Sequence, residues 1–279
     1  MFSNKDLRKL IIPLVIEQLL AVTIGMADTV MVSSCGEAAV SGISLVDSIN
    51  FLLITLFSSL ATGGAVIASQ YIGRGDHKSA SLAAKQLFYA SLALSAVLGI
   101  IAVFFRKPVL NMVFGSIEAD VMAHAQIYFL LSAISYPFLA VYNAGAALFR
   151  SMGDSRTTML ISILMNTINI VGNAILIYGF QMAAAGAATA SLVSRAVGAI
   201  IITVLLLNPH RIIFYDKLHK PEIPLSMLKS ILQIGVPNGL ENSIFQIGKI
   251  LVASIVSGFG TISITANAVA GNLASLQVI

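Results

Sequence analysis

The sequence predicts an all-α polytopic membrane protein: one six-helix lobe, followed by the start of a second lobe built as a parallel repeat of the first. Three observations carry that prediction. The 279 residues are 57% hydrophobic and only 10% charged, with a mean hydropathy of +0.93, whereas a soluble domain carries about 25% charged residues. The apolar segments are long enough for bilayer-crossing helices and too long for barrel strands. Finally, a shift of 224 positions pairs Pro13 with Pro237, Glu17 with Glu241, Val32 with Val256, Ser33 with Ser257 and Gly36 with Gly260. Proline, glutamate and glycine are not the residues that apolar composition matches by accident, so the second copy is expected to start near Lys229.

The first helix is expected over residues 10–32, about 34 Å of helix against a bilayer core of about 30 Å. It carries Glu17 and Asp28. Eleven residues at about 100° each bring the second acid to within roughly 20° of the first, so both carboxylates share one face. A carboxylate at mid-bilayer costs about 2.5–3.5 kcal/mol, so that face is expected to look onto protein or a water-filled cavity. Further spans are expected over 46–71, 83–105, 123–147, 158–180, 184–207 and 229–257, with an eighth from about Ser263 that the end at Ile279 leaves incomplete. Pro137 and the Gly63–Gly64 pair are expected kink positions. The lobe is expected over 1–207, a polar, proline-bearing linker over 208–225, and the start of the second lobe over 226–279.

Loop charges set the expected orientation. With the amino terminus in the cytoplasm, Lys5, Arg8, Lys9, Arg74, Lys78, Lys85, Arg150, Arg156, Arg211, Lys217, Lys220 and Lys229 fall inside, and only Arg106 and Lys107 outside. Arg195 and Lys249 lie within spans, completing the 16 basic residues. This asymmetry is the positive-inside pattern of a multi-pass inner (plasma) membrane protein. It assigns the net charge of +4 to topology, and no nucleic-acid partner is expected. Cys35 is the one cysteine, so no intrachain disulfide forms. The four histidines lack metal-ligand spacing. No nucleophile–base pair marks an enzyme, and no cofactor is expected.

Within the lobe, Asp28 lies about 27 Å along its helix, and Asn166, Asn169 and Asn173 share a face of the fifth span, with Asn173 about 23 Å along it. Thr189 and Ser191 belong to the corresponding half of the sixth. One acid with amides and hydroxyls suits a hard cation such as Na⁺ or a shared proton. The same amides and hydroxyls also serve to pin helices together. Glu17 with neighbouring Gln18, and Glu241 in the repeat, read either as gate or substrate residues or as pseudo-symmetric packing. Arg195 and Lys249 read either as snorkelling cations or as partners of these acids.

Several motifs carry a resemblance. Residues Ser69-Gln70-Tyr71-Ile72-Gly73-Arg74-Gly75-Asp76, Arg150-Ser151-Met152-Gly153-Asp154-Ser155-Arg156-Thr157, Gly25-Met26-Ala27-Asp28-Thr29, Gly235-Val236-Pro237 and Thr265-Ala266-Asn267 resemble those of the multidrug and toxic compound extrusion (MATE) family. The resemblance extends over the whole chain and implies two six-helix lobes. It also implies export of cationic or amphipathic compounds by a secondary active antiporter driven by inward Na⁺ or H⁺, with a monomer expected. On that pattern Asp28 is the cation-coupling acid, with Asn169, Asn173 and Ser191 beside it and Na⁺ able to sit at Asp28, Asn169 and Asn173. Two departures follow. Some members carry Asp at the position of Asn173, and in one branch the seventh-helix acid lies a turn beyond Glu241. The alternative within the wider superfamily is a flippase for lipid-linked precursors.

Overall fold

The computed structural model describes residues 4–115, 117–216, 218 and 224–275. Those residues form α1 (Asn4–Ser33), α2 (Glu37–Gly73), α3 (His77–Phe114), α4 (Ala119–Ser151), α5 (Ser155–Asn173), α6 (Ala183–Leu206), α7 (Leu225–Ser257) and α8 (Thr261–Ser275). α5 continues as a π-helical turn over Ala174–Gly179. Among the described residues there is no strand, and α2 to α7 are each long and apolar enough to cross a membrane. This is the expected fold class: a six-helix lobe and the first helices of its repeat.

The helices outrun the spans drawn from hydropathy, most clearly α2, which starts at Glu37 rather than near residue 46. Hydropathy stops at the first charges, whereas a helix stops where its backbone is capped. Two caps are nearly identical. Gly75 and Gly153 take φ values of 75° and 81°, the left-handed conformation that ends α2 and α4 without steric cost. The next residue, Asp76 or Asp154, returns its amide to Tyr71 or Phe149 across the helix end, each at 3.0 Å. Its carboxylate then accepts from the amide of Ser79 (3.0 Å) or Thr157 (3.1 Å) to open α3 or α5. Burial pushes the Asp154 carboxyl up, but Thr157's hydroxyl and amide and the Arg211 guanidinium at 3.2 Å outweigh it, leaving its pKa below the ordinary value.

α2 and α4 form the spine: α2 packs on α4, α3 and α7, α4 also on α3 and α6, while α1 rests chiefly on α5. Small residues allow the closest approaches. A Cβ at Gly63 would stand 2.6 Å from the Ile231 carbonyl oxygen, and one at Gly145 would meet Ile202 at 2.9 Å. The glycine pair of α2 therefore admits neighbours, α7 at Gly63 and Leu87 of α3 at Gly64, instead of breaking the helix as expected. Among the described residues the break with non-helical dihedrals is at Phe105 in α3 (φ −105°, ψ 16°), three residues before Pro108, whose ring and missing N–H disrupt that turn.

The core has two tiers. One gathers Leu45, Phe57, Phe129 and Tyr136. The other gathers Leu87, Leu148, Phe149, Ile202 and Ile231 at the end bearing Arg74, Arg150 and Arg211. The linker joins this second tier despite its polar composition. Ile213 and Tyr215 are buried in it, the Tyr215 amide donates to the Leu206 carbonyl at 2.7 Å, and the Tyr89 hydroxyl donates to the Leu218 carbonyl. Lys217 and Lys220 lie outside the described residues.

The repeat makes contact with itself. Ser41 Oγ lies 3.0 Å from Thr265 Oγ1, its mate 224 positions on. It lies 3.1 Å from the Thr261 carbonyl, while Thr265 Oγ1 lies 3.4 Å from the carbonyl of Glu37, the mate of Thr261. When residue i touches j and the equivalent of j touches the equivalent of i, the contact sits on a two-fold relation between the copies. That relation joins α2 to α8.

Candidate functional site

Beyond the Ser41–Thr265 contact, α1, α2, α7 and α8 enclose a cavity of about 970 Å³. Asp28 lines it from α1, Asp47 and Phe51 from α2, Tyr128 from α4, and Phe245, Gln246 and Lys249 from α7. A cavity of this size suits a drug-sized molecule.

The amides of α5 tie Asp28 to the lobe. Asn173 Nδ2 donates to Asp28 Oδ1 at 2.5 Å and to Asn169 Oδ1 at 3.3 Å, and Asn169 Nδ2 donates to Ser191 Oγ of α6 at 3.0 Å. Asp28 is thus linked through two amides to a hydroxyl on the neighbouring helix. Asn169 and Asn173 are buried, and Asn173 Oδ1 has no hydrogen-bond partner among the described residues. A buried acceptor oxygen beside a carboxylate, with the Asn169 carbonyl oxygen and a serine hydroxyl next in line, offers oxygen donors of the kind a hard cation or a shared proton takes. The π-helical turn begins at the residue after Asn173, in keeping with the placement of such turns at functional positions.

The other candidates separate. Glu17 does not reach the cavity; it accepts from Arg150 Nη1 at 3.5 Å and from Thr158 Oγ1 at 3.4 Å, tying α1 to α4 and α5 at the basic end. Neither Gln18 nor Glu241 joins the cavity lining, and Glu241 is exposed. Asn166 leaves its buried Nδ2 without a partner among the described residues and stays outside the chain that ends at Asp28. Thr189 donates to the Ala185 carbonyl of its own helix at 2.7 Å, so it too drops out. Among the described residues Arg195 pairs directly with no acid: its Nη1 donates to Ser135 Oγ of α4 at 2.6 Å, inside the lobe rather than at an interface. Its charge nevertheless acts on both Asp28 and Asp47. The Lys249 ammonium lies 4.8 Å from the centre of the Phe245 ring, on the cavity wall.

Sequence reasoning missed Asp47 and its supports. With the second span drawn from residue 46, Asp47 reads as a boundary residue; with α2 starting at Glu37, it lies about 15 Å along the helix. Tyr128 Oη donates to Asp47 Oδ1 at 3.0 Å, as does Asn50 Nδ2 at 3.1 Å. Tyr136 Oη donates to Asn50 Oδ1 at 2.8 Å, and Asn50 Nδ2 also lies 3.3 Å from Ser132 Oγ. The signal was present as Tyr128, Ser132, Ser135 and Tyr136, a polar stripe at helical spacing on α4.

An all-helical lobe, a partial repeat and a half-buried acid on the cavity wall define a polytopic membrane protein with the frame of a transporter. The MatE family model matches residues 13–175, and the chain belongs to that family. Among relatives, it is 29% identical to "Probable multidrug resistance protein NorM" of Thermotoga maritima, covering 98% of this chain and 59% of that protein. It is also 29% identical to "Uncharacterized transporter YisQ" of Bacillus subtilis, covering 94% and 58%. The chain thus spans about three-fifths of the length of these relatives. The fold is similar to that of the MATE multidrug transporter DinF-BH, solved in complex with rhodamine 6G, at a TM-score of 0.89 and 22% identity over 96% of this chain and 60% of that one. It is also similar to an inward-facing MATE family transporter at 0.82 and 22% identity, over 94% and 60%.

Proposed function

We propose that the protein is a secondary active antiporter of the plasma membrane, exporting cationic or amphipathic compounds in exchange for inward Na⁺ or H⁺. The observation that carries this reading is Asp28: a carboxylate on the wall of a 970 Å³ cavity between two repeats, held by the buried amide of Asn173. An ionised carboxylate resists enclosure by apolar helices, and a bound proton or Na⁺ removes that resistance. Ion occupancy at Asp28 would then bias the equilibrium between the two lobe arrangements and drive exchange. The names of the relatives and the rhodamine 6G complex of DinF-BH support the substrate class. The clustering of Arg74, Arg150 and Arg211 at one end supports an amino terminus in the cytoplasm. The reading requires no cofactor beyond the coupling ion.

The test is uptake of a fluorescent cationic dye into inverted vesicles, the direction of export, containing the protein expressed from its complete gene, wild type against Asp28→Asn. Na⁺ and pH gradients are imposed separately. Export that follows one gradient and is lost in the variant is expected, and it names the ion. Export at the wild-type rate in Asp28→Asn would refute the mechanism, and no dye movement in the wild type under either gradient would favour the lipid flippase.

A further inference from the structure

The coupling site uses one of the cavity's two carboxylates; the other, Asp47, is built differently. Asp28 meets an amide chain that runs back into α5 and α6. Both acids accept through Oδ1 alone among the described residues, but Asp47 is gripped there by two donors, Tyr128 and Asn50, where Asp28 has one. Asn50 is held in turn by the Tyr136 hydroxyl and lies against Ser132, so the support of Oδ1 extends two layers into α4. Among the described residues no donor reaches Oδ2, and none of the ion pairs there involves Asp47. A carboxylate fixed through one oxygen, with the other left for a cavity, is arranged to receive a charge from that cavity.

The surroundings indicate what charge. Asp28 on α1 shares the field of Asp47, Arg195 on α6 is turned to Ser135, and Lys249 on α7 sits over the Phe245 ring. Neither cation closes an ion pair with Asp28 or Asp47 among the described residues. The walls around Asp47 carry aromatic and apolar side chains, Phe51, Tyr128 and Ile43 on the lobe side and Ile244 and Phe245 on α7, interrupted by the hydroxyls of Ser44 and Ser48. Such walls take a flat, apolar cation by contact with its rings, and a buried carboxylate then gives the charge its partner.

We infer that Asp47 is the counter-ion for the exported molecule and selects an organic cation with an extended apolar ring system, while Asp28 serves the coupling ion. This inference rests on the antiport reading. The division of labour explains why two carboxylates are anchored by separate hydrogen-bond networks: an exchanger whose ion and substrate used one shared oxygen pair would need only one.

The test is equilibrium binding by fluorescence polarisation to the purified protein expressed from its complete gene. Rhodamine 6G is the cationic probe, and a zwitterionic rhodamine of the same ring system is the control. Asp47→Asn should weaken the cationic dye at least tenfold and leave the zwitterion within twofold. Asp28→Asn, which neutralises that carboxylate as a bound ion would, should weaken the cationic dye by less than Asp47→Asn does and lose gradient-driven export. Should Asp47→Asn fail to fold, Tyr128→Phe carries the test, with a several-fold loss for the cationic dye alone. Wild-type affinity for that dye in a folded Asp47→Asn or Tyr128→Phe, or equal weakening of both dyes, would overturn the inference. Wild-type protein that binds the cationic dye through Asp47 yet moves no dye under any gradient would sink the antiport reading and leave Asp47 as a cation site.

Discussion

Substituting alanine for Gly63 tests how closely the two repeats are fitted together. A Cβ there would lie 2.6 Å from the Ile231 carbonyl oxygen and 2.9 Å from the Gly235 amide nitrogen. Both neighbours are backbone of α7, which cannot swing aside as a side-chain tip can. Overpacking costs about 1–3 kcal/mol, and two rigid contacts place this case near the upper end, about 3 kcal/mol. Replacing glycine by alanine inside a helix returns about 1 kcal/mol, so a net loss of about 2 kcal/mol is expected. The control lies on the same interface: a Cβ at Gly239 would meet Ser59 at 3.5 Å, an ordinary contact, so Gly239→Ala should be neutral or slightly stabilising. The assay is thermal unfolding of each variant in one detergent, followed by the loss of the monodisperse size-exclusion peak. Gly63→Ala should melt several degrees below wild type and Gly239→Ala should not. Gly63→Ala melting at or above wild type would show that α7 can slide on α2 at no cost, and the fitted crossing would be wrong.

Two further outcomes follow from the helix ends. The reciprocal contact of Ser41 and Thr265 should show a coupling energy of about 0.5–1.5 kcal/mol in a double-mutant cycle of Ser41→Ala and Thr265→Ala, and additive losses would mean that the hydroxyls do not act together. Asp154→Ala should cost about 1 kcal/mol as a lost helix cap. Because the Asp154 carboxyl is held below its ordinary pKa in the folded protein, its contribution is fully present above the unfolded value of about 3.9 and disappears as pH falls through the folded value. The melting difference between wild type and Asp154→Asn should therefore be constant between about pH 7 and 5 and shrink below about pH 4; a difference already closing near pH 6 would contradict this assignment.

Helix number, order and the repeat were legible because each rests on a signal that survives without tertiary context. Hydropathy marks the spans, loop charge alternates along the chain, and Pro13 with Pro237 and Glu17 with Glu241 keep one spacing. The chain from Asn169 to Asn173 was legible for the same reason, since residues four apart on one helix must be neighbours. Thr189 shares that depth but satisfies its hydroxyl on its own helix, a choice that periodicity does not reveal. Glu17 read either as a gate or substrate residue or as packing because it shares a face with Asp28; that face is long enough to meet Arg150 and Thr158 at one end and the cavity at the other. Asp47 escaped because a charge near a hydropathy boundary looks like the boundary itself, and only the cap at Gly36 shows that α2 has already begun. The linker's burial was hidden by its composition, in which Ile213 and Tyr215 are outnumbered by polar neighbours.

Arg195 explains why the two acid networks belong to one device. It follows Ser191 by one helical turn, so the same face of α6 that ends the Asp28 chain also carries the guanidinium bound to Ser135. Ser135 in turn donates to the Ser132 carbonyl at 2.7 Å, and the Ser132 hydroxyl meets Asn50, which holds Asp47. The charges of Asp28, Asp47 and Arg195 thus share one field inside the lobe. In such a field a cation arriving at one carboxylate makes the other less attractive to a second cation, because its positive charge repels the newcomer across the same low-dielectric space. That coupling is reciprocal by thermodynamic necessity. On the antiport reading, the ion at Asp28 weakens the hold on a cationic substrate at Asp47, and the substrate weakens the hold on the ion. Mutual exclusion of this kind is what exchange requires, and on that reading the shared field of the two carboxylates would supply it before any helix moves.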